Sequence, residues 1–215
     1  MARLVVFDLD GTLVDSARDI AAAVNAAFAA LEPGTAPLPL ERVVGFVGDG
    51  ARLLIERVLQ HRGSSLRPDR VLPLYLEAYR ERLLDTTRLF AGVSEALAEL
   101  AASGRPLAVL TNKPGDLSRT ILNGLGVGSR FARIWGAGDV PARKPDPAGL
   151  RALLAELGAA TEEVWLVGDS PTDVETARAA GVRAAGVAWG FDVKGLRAAA
   201  PDRFLDSPRE LVLLA

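Results

Sequence analysis

Two aspartates, Asp8 and Asp10, follow an apolar run near the start of the chain, in the segment RLVVFDLDGTLVDS of residues 3–16. Because side chains alternate along a strand, both carboxylates are expected on one side of it, roughly 6.6 Å apart. Two like charges at the end of a buried strand repel each other and are poorly solvated, unless a cation or a shared proton compensates them. The pair therefore indicates a metal site. The alternative, that one of them only caps a turn or a helix, suits an isolated Asp-Gly better than this whole segment.

A second acidic pair lies in the segment GDSPTD, residues 168–173, which follows the apolar segment EVWLVG. Asp169 and Asp173 are four residues apart, and this spacing brings both side chains toward one side of the N-terminus of a following helix. Ser170 or Asp169 is also suited to capping that helix, with Pro171 in its first turn. We expect capping and metal binding to coexist here.

Two further segments carry groups that suit a phosphate. The apolar segment PLAVLT ends in Thr111, and Asn112 follows it, so that a hydroxyl group and backbone N–H groups meet at one strand end. The segment RKPDP places Lys144 on a loop before a helix. Taken alone, a strand ending in Thr-Asn is more often a turn, and a loop lysine is usually solvated. A site with four carboxylates needs positive charge, however, and this favours the functional interpretation of Lys144.

The formal charges of these candidates predict the ion and the acid. The four carboxylates carry −4, and one divalent cation with Lys144 supplies +3, which leaves −1 before a phosphate arrives. One additional proton would make such a site tolerable, and we therefore expect Asp10 to act as a general acid. With oxygen ligands only and a phosphate to share, Mg²⁺ is the expected ion.

Composition excludes several other classes of chemistry. The 215-residue chain has no cysteine and one histidine, so disulfides, thiolate chemistry, sulfur-ligated metals and sites with two imidazoles are excluded. A formal net charge of −2 gives no reason to expect nucleic acid or a membrane surface as a partner, and a small phosphorylated metabolite is the expected one. Without a signal-like N-terminus or an apolar run of about 18 residues, the expected location is cytoplasmic. The oligomeric state stays unknown. The chain has three lysines, which makes each worth inspecting.

The elements that must position these residues are predicted to form an α/β fold, with a doubly wound, Rossmann-like parallel sheet as its core. Short apolar runs alternate with helical patterns, and runs that are apolar on both faces are typical of parallel strands covered by helices. The predicted strands are RLVVFDLD, PLAVLT, RIWGA, EVWLVG and AAGVA. The predicted helices between them are 93–103, 116–124, 147–157 and 172–180.

One segment interrupts this alternation. Residues 16–88 contain no convincing strand, and helical periodicity predicts helices at 17–31, 50–62 and 68–86. We interpret residues 16–88 as an inserted α-helical cap subdomain, here called the cap segment. Residues 1–15 and 89–215 then form the Rossmann-like catalytic core.

The order and wording of four segments resemble the haloacid dehalogenase superfamily of phosphohydrolases. These segments are DLDGT, TN, KPDP and GDSPTD, each at a predicted strand end or in a nearby loop, and the resemblance covers nearly the whole chain. It implies an enzyme that hydrolyses phosphomonoesters with Mg²⁺ through an aspartyl-phosphate intermediate.

The resemblance also implies roles for individual residues. It implies that Asp8 is the nucleophile and that Asp10 protonates the leaving oxygen and then activates water. Gly11, Thr111, Asn112 and Lys144 match the phosphate-binding positions. The implied metal ligands are Asp8, the backbone carbonyl of Asp10, and Asp169, while Asp173 matches a residue that supports the ligands from behind.

Softer signals narrow the substrate. The segments DGTLVDS, GDSPTD, GFVGDGARLL, FAGVSEAL and TNKP resemble the phosphoglycolate phosphatases of the superfamily, and the cap segment lacks the lysine that phosphonate hydrolases use. Within the cap segment, Gly48 belongs to a loop that either faces the substrate or only joins two helices, and Arg42 and Arg52 flank it as candidate partners of a substrate carboxylate. The alternatives are a broad-specificity sugar or nucleotide phosphatase, a pyrophosphatase or a phosphomutase. From another class, a catalytically idle module that binds phosphate or a partner protein is the alternative.

Overall fold

The computed structural model describes residues 4–214, and their largest element is a six-stranded, all-parallel sheet. Its strands are β1 Leu4–Phe7, β4 Leu107–Pro114, β5 Arg133–Ala137, β6 Val164–Gly168, β7 Arg183–Val187 and β8 Arg203–Leu205. Their order across the sheet is β5-β4-β1-β6-β7-β8, so β1 lies in the centre between β4 and β6. The predicted α/β class with a Rossmann-like parallel sheet is therefore confirmed.

Helices cover both faces of this sheet. They are α5 Val93–Ala102, α6 Gly115–Gly124, α7 Ala148–Leu157, α8 Pro171–Ala180 and α9 Val193–Ala198. The alternation of strand β1 explains the two layers, because Val5 and Phe7 pack into one apolar cluster and Leu4 and Val6 into another. All four side chains are fully buried, as expected of a central parallel strand.

The cap segment consists of helices between two short strands that pair with each other. Strands β2 Val14–Asp15 and β3 Arg88–Leu89 form an antiparallel ribbon. The helices between them are α1 Ala17–Leu31, α2 Leu40–Val44, α3 Ala51–Arg62 and α4 Pro68–Arg80. The ribbon lies where residues 15–16 and 88–89 were predicted to join the cap segment to the core, and the division into two domains stays a prediction. None of the helices among residues 4–214 has the length and apolar character needed to cross a membrane.

One predicted helix ends earlier than expected. The pattern at 68–86 predicted a single helix, but α4 ends at Arg80, and turns carry the chain back toward the ribbon. The reason is a buried carboxylate on α1. Asp19 accepts hydrogen bonds from the backbone N–H and the hydroxyl groups of both Thr86 and Thr87, at 2.5–3.1 Å. A helix continuing to residue 86 would leave this carboxylate buried without these donors.

Candidate active site

The candidate site lies at the carboxyl ends of β1, β4 and β6, the three central strands of the sheet. In parallel α/β sheets ligands bind at this edge, because the strands present their C-terminal loops there together. Asp8 and Asp10 follow β1, Thr111 and Asn112 lie within β4, and Asp169 follows β6 directly.

Asp8 is held at the end of β1 with one carboxylate oxygen bonded and the other left open. Its backbone N–H donates to Val167 O at 2.8 Å, and its Oδ1 accepts a hydrogen bond of 2.8 Å from Lys144 Nζ. Among the described residues no donor reaches Oδ2. Burial raises the pKa of Asp8 to about 6, and the neighbouring Lys144 ammonium only partly opposes this. The open oxygen of a buried carboxylate is available to a metal or to an electrophile.

Lys144 lies between two carboxylates and is itself buried. Its Nζ donates to Asp8 Oδ1 at 2.8 Å and to Asp173 Oδ1 at 2.6 Å. Burial alone would lower the pKa of this ammonium, but the two carboxylates outweigh it and raise the pKa above its ordinary value. Lys144 is therefore a permanent positive charge within the acidic cluster.

Both carboxylate oxygens of Asp173 accept hydrogen bonds, and the way α8 begins accounts for those on Oδ2. Ser170 is the N-cap, Pro171 is the first helical residue, and Asp173 Oδ2 accepts from the Ser170 N–H at 3.2 Å and from its Oγ at 2.7 Å. With Lys144 on Oδ1, both oxygens of Asp173 have partners. Capping and a place in the acidic cluster do coexist at this helix.

Asp169 sits deep against glycine backbone and keeps one oxygen open. Its Oδ2 accepts a hydrogen bond of 2.7 Å from the Phe191 N–H. A Cβ atom on Gly11 would lie 2.1 Å from Asp169 Oδ2, and one on Gly190 would lie 2.2 Å from Asp169 Cβ. Burial first, and then the Asp8 and Asp173 charges, raise the pKa of Asp169 well above its ordinary value. Only glycines leave space for this carboxylate.

The donor set fits a hard divalent cation. Oxygens of Asp8, Asp169 and Asp173 lie within 4.8 Å of one another, and all three residues are buried. The Asp8 and Asp169 carboxylates each have an oxygen that no described donor reaches, whereas both oxygens of Asp173 accept hydrogen bonds from the protein. Buried like charges with open oxygens and raised pKa values are the condition that Mg²⁺ relieves, since oxygen is its preferred ligand.

Asp10 lines a cleft between this edge of the sheet and the cap segment, and its carboxylate has two partners that were not predicted from the sequence. Its Oδ1 accepts a hydrogen bond of 2.5 Å from Ser16 Oγ, and Lys113 Nζ lies 2.9 Å from both of its oxygens. Lys113 is buried and also donates to the Tyr79 hydroxyl oxygen at 2.6 Å. Counting Lys113, two lysines and one divalent cation balance the four carboxylates. The sequence-based count left this ammonium group out, and with it the charges balance before a phosphate arrives; the negative charge of a bound phosphate then again calls for an additional proton.

The functional place of Lys113 was not predicted from the sequence. Two signals pointed to it: the scarcity of lysine and the segment TNKP, in which it follows Thr111 and Asn112. In the structure β4 leaves its ladder here, because the pairing with β5 shifts between Leu110 and Pro114. This irregularity lets Thr111, Asn112 and Lys113 all line the cleft.

The predicted phosphate-binding residues are placed in different ways. Thr111 and Asn112 line the cleft, and the Asn112 amide donates to Lys144 O at 2.9 Å and to Gly48 O at 3.2 Å. Asn112 Oδ1 is buried and has no partner among the described residues. The Gly11 N–H donates to Val14 O at 2.9 Å, so this amide is not open to a phosphoryl group. What Gly11 provides here is space for Asp169.

Of the three predicted cap residues, the structure brings only Gly48 to the cleft. Arg42 is exposed on α2. Arg52 forms exposed ion pairs with Glu56 and Asp69 on the outer side of the cap segment. The geometry gives no support to a carboxylate-binding role for either arginine, because both guanidinium groups lie at the surface and neither lines the cleft.

The cleft lies between the cap segment and the edge of the sheet formed by the carboxyl ends of β1, β4 and β6, here called the catalytic edge. On the sheet side it is lined by Asp8, Asp10, Thr111, Asn112, Lys113, Pro114 and Leu117, and on the cap side by Ile20, Val47, Gly48, Gly50, Ala51, Leu54, Tyr75, Leu76 and Tyr79. The sheet side is thus polar and charged, whereas the cap side is mainly apolar. A ligand that fits both halves has a charged end and a small remainder.

Comparison with known proteins gives one family. The model of the haloacid dehalogenase-like hydrolases matches residues 5–187. The phosphoglycolate phosphatase of Cereibacter sphaeroides is 46% identical over 183 residues, which are 83% of this chain and 82% of that protein. The phosphoglycolate phosphatase of Pectobacterium atrosepticum is 38% identical over 208 residues, 95% of this chain and 88% of that protein. The crystal structure of a predicted phosphoglycolate phosphatase from Haemophilus somnus superposes with a TM-score of 0.92 at 29% identity, covering 99% of this chain and 97% of that one.

Proposed function

This chain belongs to the haloacid dehalogenase-like hydrolases and is a phosphatase, and from this premise we propose that it hydrolyses 2-phosphoglycolate with Mg²⁺ through an aspartyl phosphate. The observation that carries the proposal is the state of Asp8. It is a buried carboxylate with one oxygen on Lys144 and the other free of described donors, at the floor of a cleft that also holds Asp10. This arrangement suits a nucleophile with an acid beside it.

The proposed first step uses Asp8 and Asp10. The open oxygen of Asp8 attacks phosphorus, a bond forms between them, and the bond from phosphorus to the ester oxygen breaks. Asp10 gives a proton to the departing oxygen, since both side chains face the same cleft. In the second step Asp10 takes a proton from a water molecule, and this water attacks phosphorus and releases phosphate and Asp8.

Lys144 and Asp173 support the nucleophile in this proposal. The Lys144 ammonium offsets negative charge that gathers on the transferring phosphoryl group, and Asp173 fixes the position of that ammonium through the 2.6 Å hydrogen bond. The Thr111 hydroxyl group and the backbone near Asn112 lie at the same edge and suit the phosphoryl oxygens.

Mg²⁺ would be held by Asp8 and Asp169, with the backbone carbonyl of Asp10 as a further oxygen, while Asp173 stays on its protein donors. When bound, the ion would supply positive charge to the phosphoryl oxygens. Without a cation, two buried carboxylates with raised pKa values face each other, and this favours the proposed cofactor.

The substrate proposal has two supports. The relatives at 46% and 38% identity are phosphoglycolate phosphatases, and this chain covers most of their length. The cap side of the cleft is apolar and closely set, with Val47, Leu54 and Tyr79 facing the catalytic edge. Such a cleft suits a phosphate ester with a small leaving group better than a sugar or nucleotide phosphate with many hydroxyl groups.

A substrate screen tests the proposal. Purified protein with Mg²⁺ is given a panel of phosphorylated metabolites, and release of inorganic phosphate is followed. We expect the highest kcat/KM for 2-phosphoglycolate, and hydrolysis of an aryl phosphate rules out a catalytically idle module. The Asp8→Asn variant serves as the control for contaminating phosphatases. A sugar phosphate, nucleotide or pyrophosphate with a higher kcat/KM would contradict the substrate proposal and leave the phosphatase activity in place.

A further inference from the structure

Lys113 is the one cationic side chain among the described residues that line the cleft. Lys144 is engaged by Asp8 and Asp173 and does not line the cleft, and neither do the arginines of the cap segment. We propose that Lys113 binds a carboxylate on the leaving group, attached to the carbon that bears the ester oxygen, and so determines the specificity for phosphorylated 2-hydroxy acids. This inference rests on the proposed function and deepens it.

Lys113 lies next to Asp10, the residue proposed to protonate the leaving oxygen. Lys113 Nζ lies 2.9 Å from both carboxylate oxygens of Asp10, which is proposed to protonate the ester oxygen. The ammonium group would therefore be no more than about two hydrogen-bond lengths from that oxygen. A carboxylate on the neighbouring carbon falls in this space, whereas one further along the leaving group points past it. The geometry matches a 2-phosphonooxy acid.

The ammonium group of Lys113 has a donor that a substrate carboxylate could use. A lysine ammonium has three N–H donors. Two hydrogen bonds of Lys113 go to the same carboxylate, that of Asp10, and the third goes to the Tyr79 hydroxyl oxygen at 2.6 Å. One of the two donors on Asp10 can therefore turn to a substrate carboxylate while the other keeps the ion pair.

The surroundings of Lys113 are buried and largely apolar. Lys113 is only 6% exposed, its Nζ lies 4.4 Å from the centroid of the Tyr79 ring, and the cap side of the cleft adds Val47, Leu54 and Leu76. A carboxylate between apolar walls is costly unless a cation pairs with it. Lys113 meets this need, and a neutral leaving group would have no use for it.

The test compares two substrates that differ in one charge. The first is 2-phosphoglycolate, and the second is 2-hydroxyethyl phosphate, in which a hydroxymethyl group replaces the carboxylate. The ratio of their kcat/KM values is measured for the wild type and for Lys113→Met. We expect the variant to lose about 10- to 100-fold of this ratio, the value of a charge-assisted hydrogen bond. Because both substrates meet the same enzyme sample, the ratio does not depend on how much of the variant is folded.

Lys194→Met is the matched control, since it removes an equal charge from an exposed position on α9 and should keep the wild-type ratio. Lys113→Arg keeps the charge and should keep part of the preference. If Lys113→Met has no measurable turnover, thermal unfolding in EDTA gives the same comparison. There 2-phosphoglycolate should raise the unfolding temperature of the wild type more than 2-hydroxyethyl phosphate does, and this difference should vanish in the variant.

The outcomes separate this inference from the proposed function. If the wild type prefers 2-phosphoglycolate and Lys113→Met retains the preference while both rates fall, Lys113 only positions Asp10 and the inference is overturned, but the proposed function stands. If the preferred substrate is another carboxylate-bearing phosphate and the variant loses that preference, the inference stands and the substrate assignment fails. A wild type without any preference for a carboxylate overturns both.

Discussion

The carboxylate of Asp49, in the loop between α2 and α3, accepts a hydrogen bond of 2.7 Å from Thr172 Oγ1 in the first turn of α8. The other carboxylate oxygen pairs with Arg57, whose guanidinium also donates to Phe46 O in the same loop. Next to Asp49, the Gly48 carbonyl accepts from the Asn112 amide. Two hydrogen bonds thus join the cap loop to the catalytic edge, and closure of this loop over the cleft would exclude water from the reacting phosphoryl group.

Removing the Thr172 hydroxyl group should weaken the closed state. In Thr172→Val the methyl groups fill the same volume, but Asp49 loses one donor, and we expect KM for 2-phosphoglycolate to rise about 5-fold. Thr172→Ser keeps the hydroxyl group and should stay near the wild type. Steady-state kinetics of both variants make the comparison. An unchanged KM in Thr172→Val would mean that this hydrogen bond does not hold the loop.

Asn at position 8 should abolish turnover, because an amide fills the space of the carboxylate but does not attack phosphorus. Asp10→Asn should instead impair protonation of the leaving oxygen, so its kcat should fall much more for 2-phosphoglycolate than for 4-nitrophenyl phosphate, whose leaving group needs no proton. Phosphate release with each substrate measures both effects, after circular dichroism has shown that the variants are folded. Near-normal turnover by Asp8→Asn would exclude the covalent mechanism.

Metal removal should stop the reaction and Mg²⁺ should restore it. The Asp8 and Asp169 carboxylates supply hard oxygen ligands, and Mg²⁺ demands few of them in a regular arrangement, which leaves the attacking oxygen of Asp8 free. Ca²⁺ accepts more ligands at longer distances, so it should bind, engage both oxygens of Asp8 and inhibit. Activity after EDTA treatment and titration with each ion provides the measurement. Full activity with Ca²⁺ as the sole divalent ion would conflict with this arrangement.

The raised pKa of Asp8 predicts how the stability of the metal-free protein depends on pH. The folded protein binds this proton below about pH 6, whereas the unfolded chain binds it near 3.8, so ionised Asp8 costs stability at higher pH. In EDTA, Asp8→Asn should therefore be more stable than the wild type at pH 8, by on the order of 1–3 kcal/mol. This gain should shrink as the pH falls from 6 to 4. Urea unfolding at a series of pH values measures it.

The exposed Asp85 provides the control for that experiment, since Asp85→Asn should change the stability little at any of these pH values. A gain for Asp8→Asn that grows toward low pH would contradict the assigned cause, which is burial of the charged form.

The sheet could be predicted because its central strands are apolar on both faces. Segments such as LVVF in β1 and VWLVG in β6 carry this signal in the sequence itself. The edge strand β8 and the ribbon strands have two or three residues each, too short for a period to be recognised, and their pairing depends on neighbours that are remote in the chain.

The residues of the candidate site also fall into two groups, those whose position the sequence could predict and those whose contacts it could not. Asp8, Thr111 and Asp169 could be placed together, because each follows or ends a predicted strand and parallel strands share one edge. The contact between Lys113 and Asp10 spans 103 positions, and that between Asp49 and Thr172 spans 123. Such contacts depend on the shift in the β4 ladder and on how the cap helices lie over the sheet, and no local pattern encodes either.

The antiparallel ribbon of β2 and β3 also has a consequence for how this fold is built by insertion. Val14 pairs with Leu89 and Asp15 with Arg88, so the chain leaves the sheet and returns to it at adjacent points. Paired strand residues lie about 5 Å apart, a distance that a short turn also spans. The helices between the two strands form one insertion, and its length does not affect the pairing within the sheet. The entropic cost of closing a longer loop also grows only slowly with its length. A cap of another size or shape could therefore replace this one at the β2–β3 ribbon. The substrate range would change, while the catalytic edge of the sheet would stay the same.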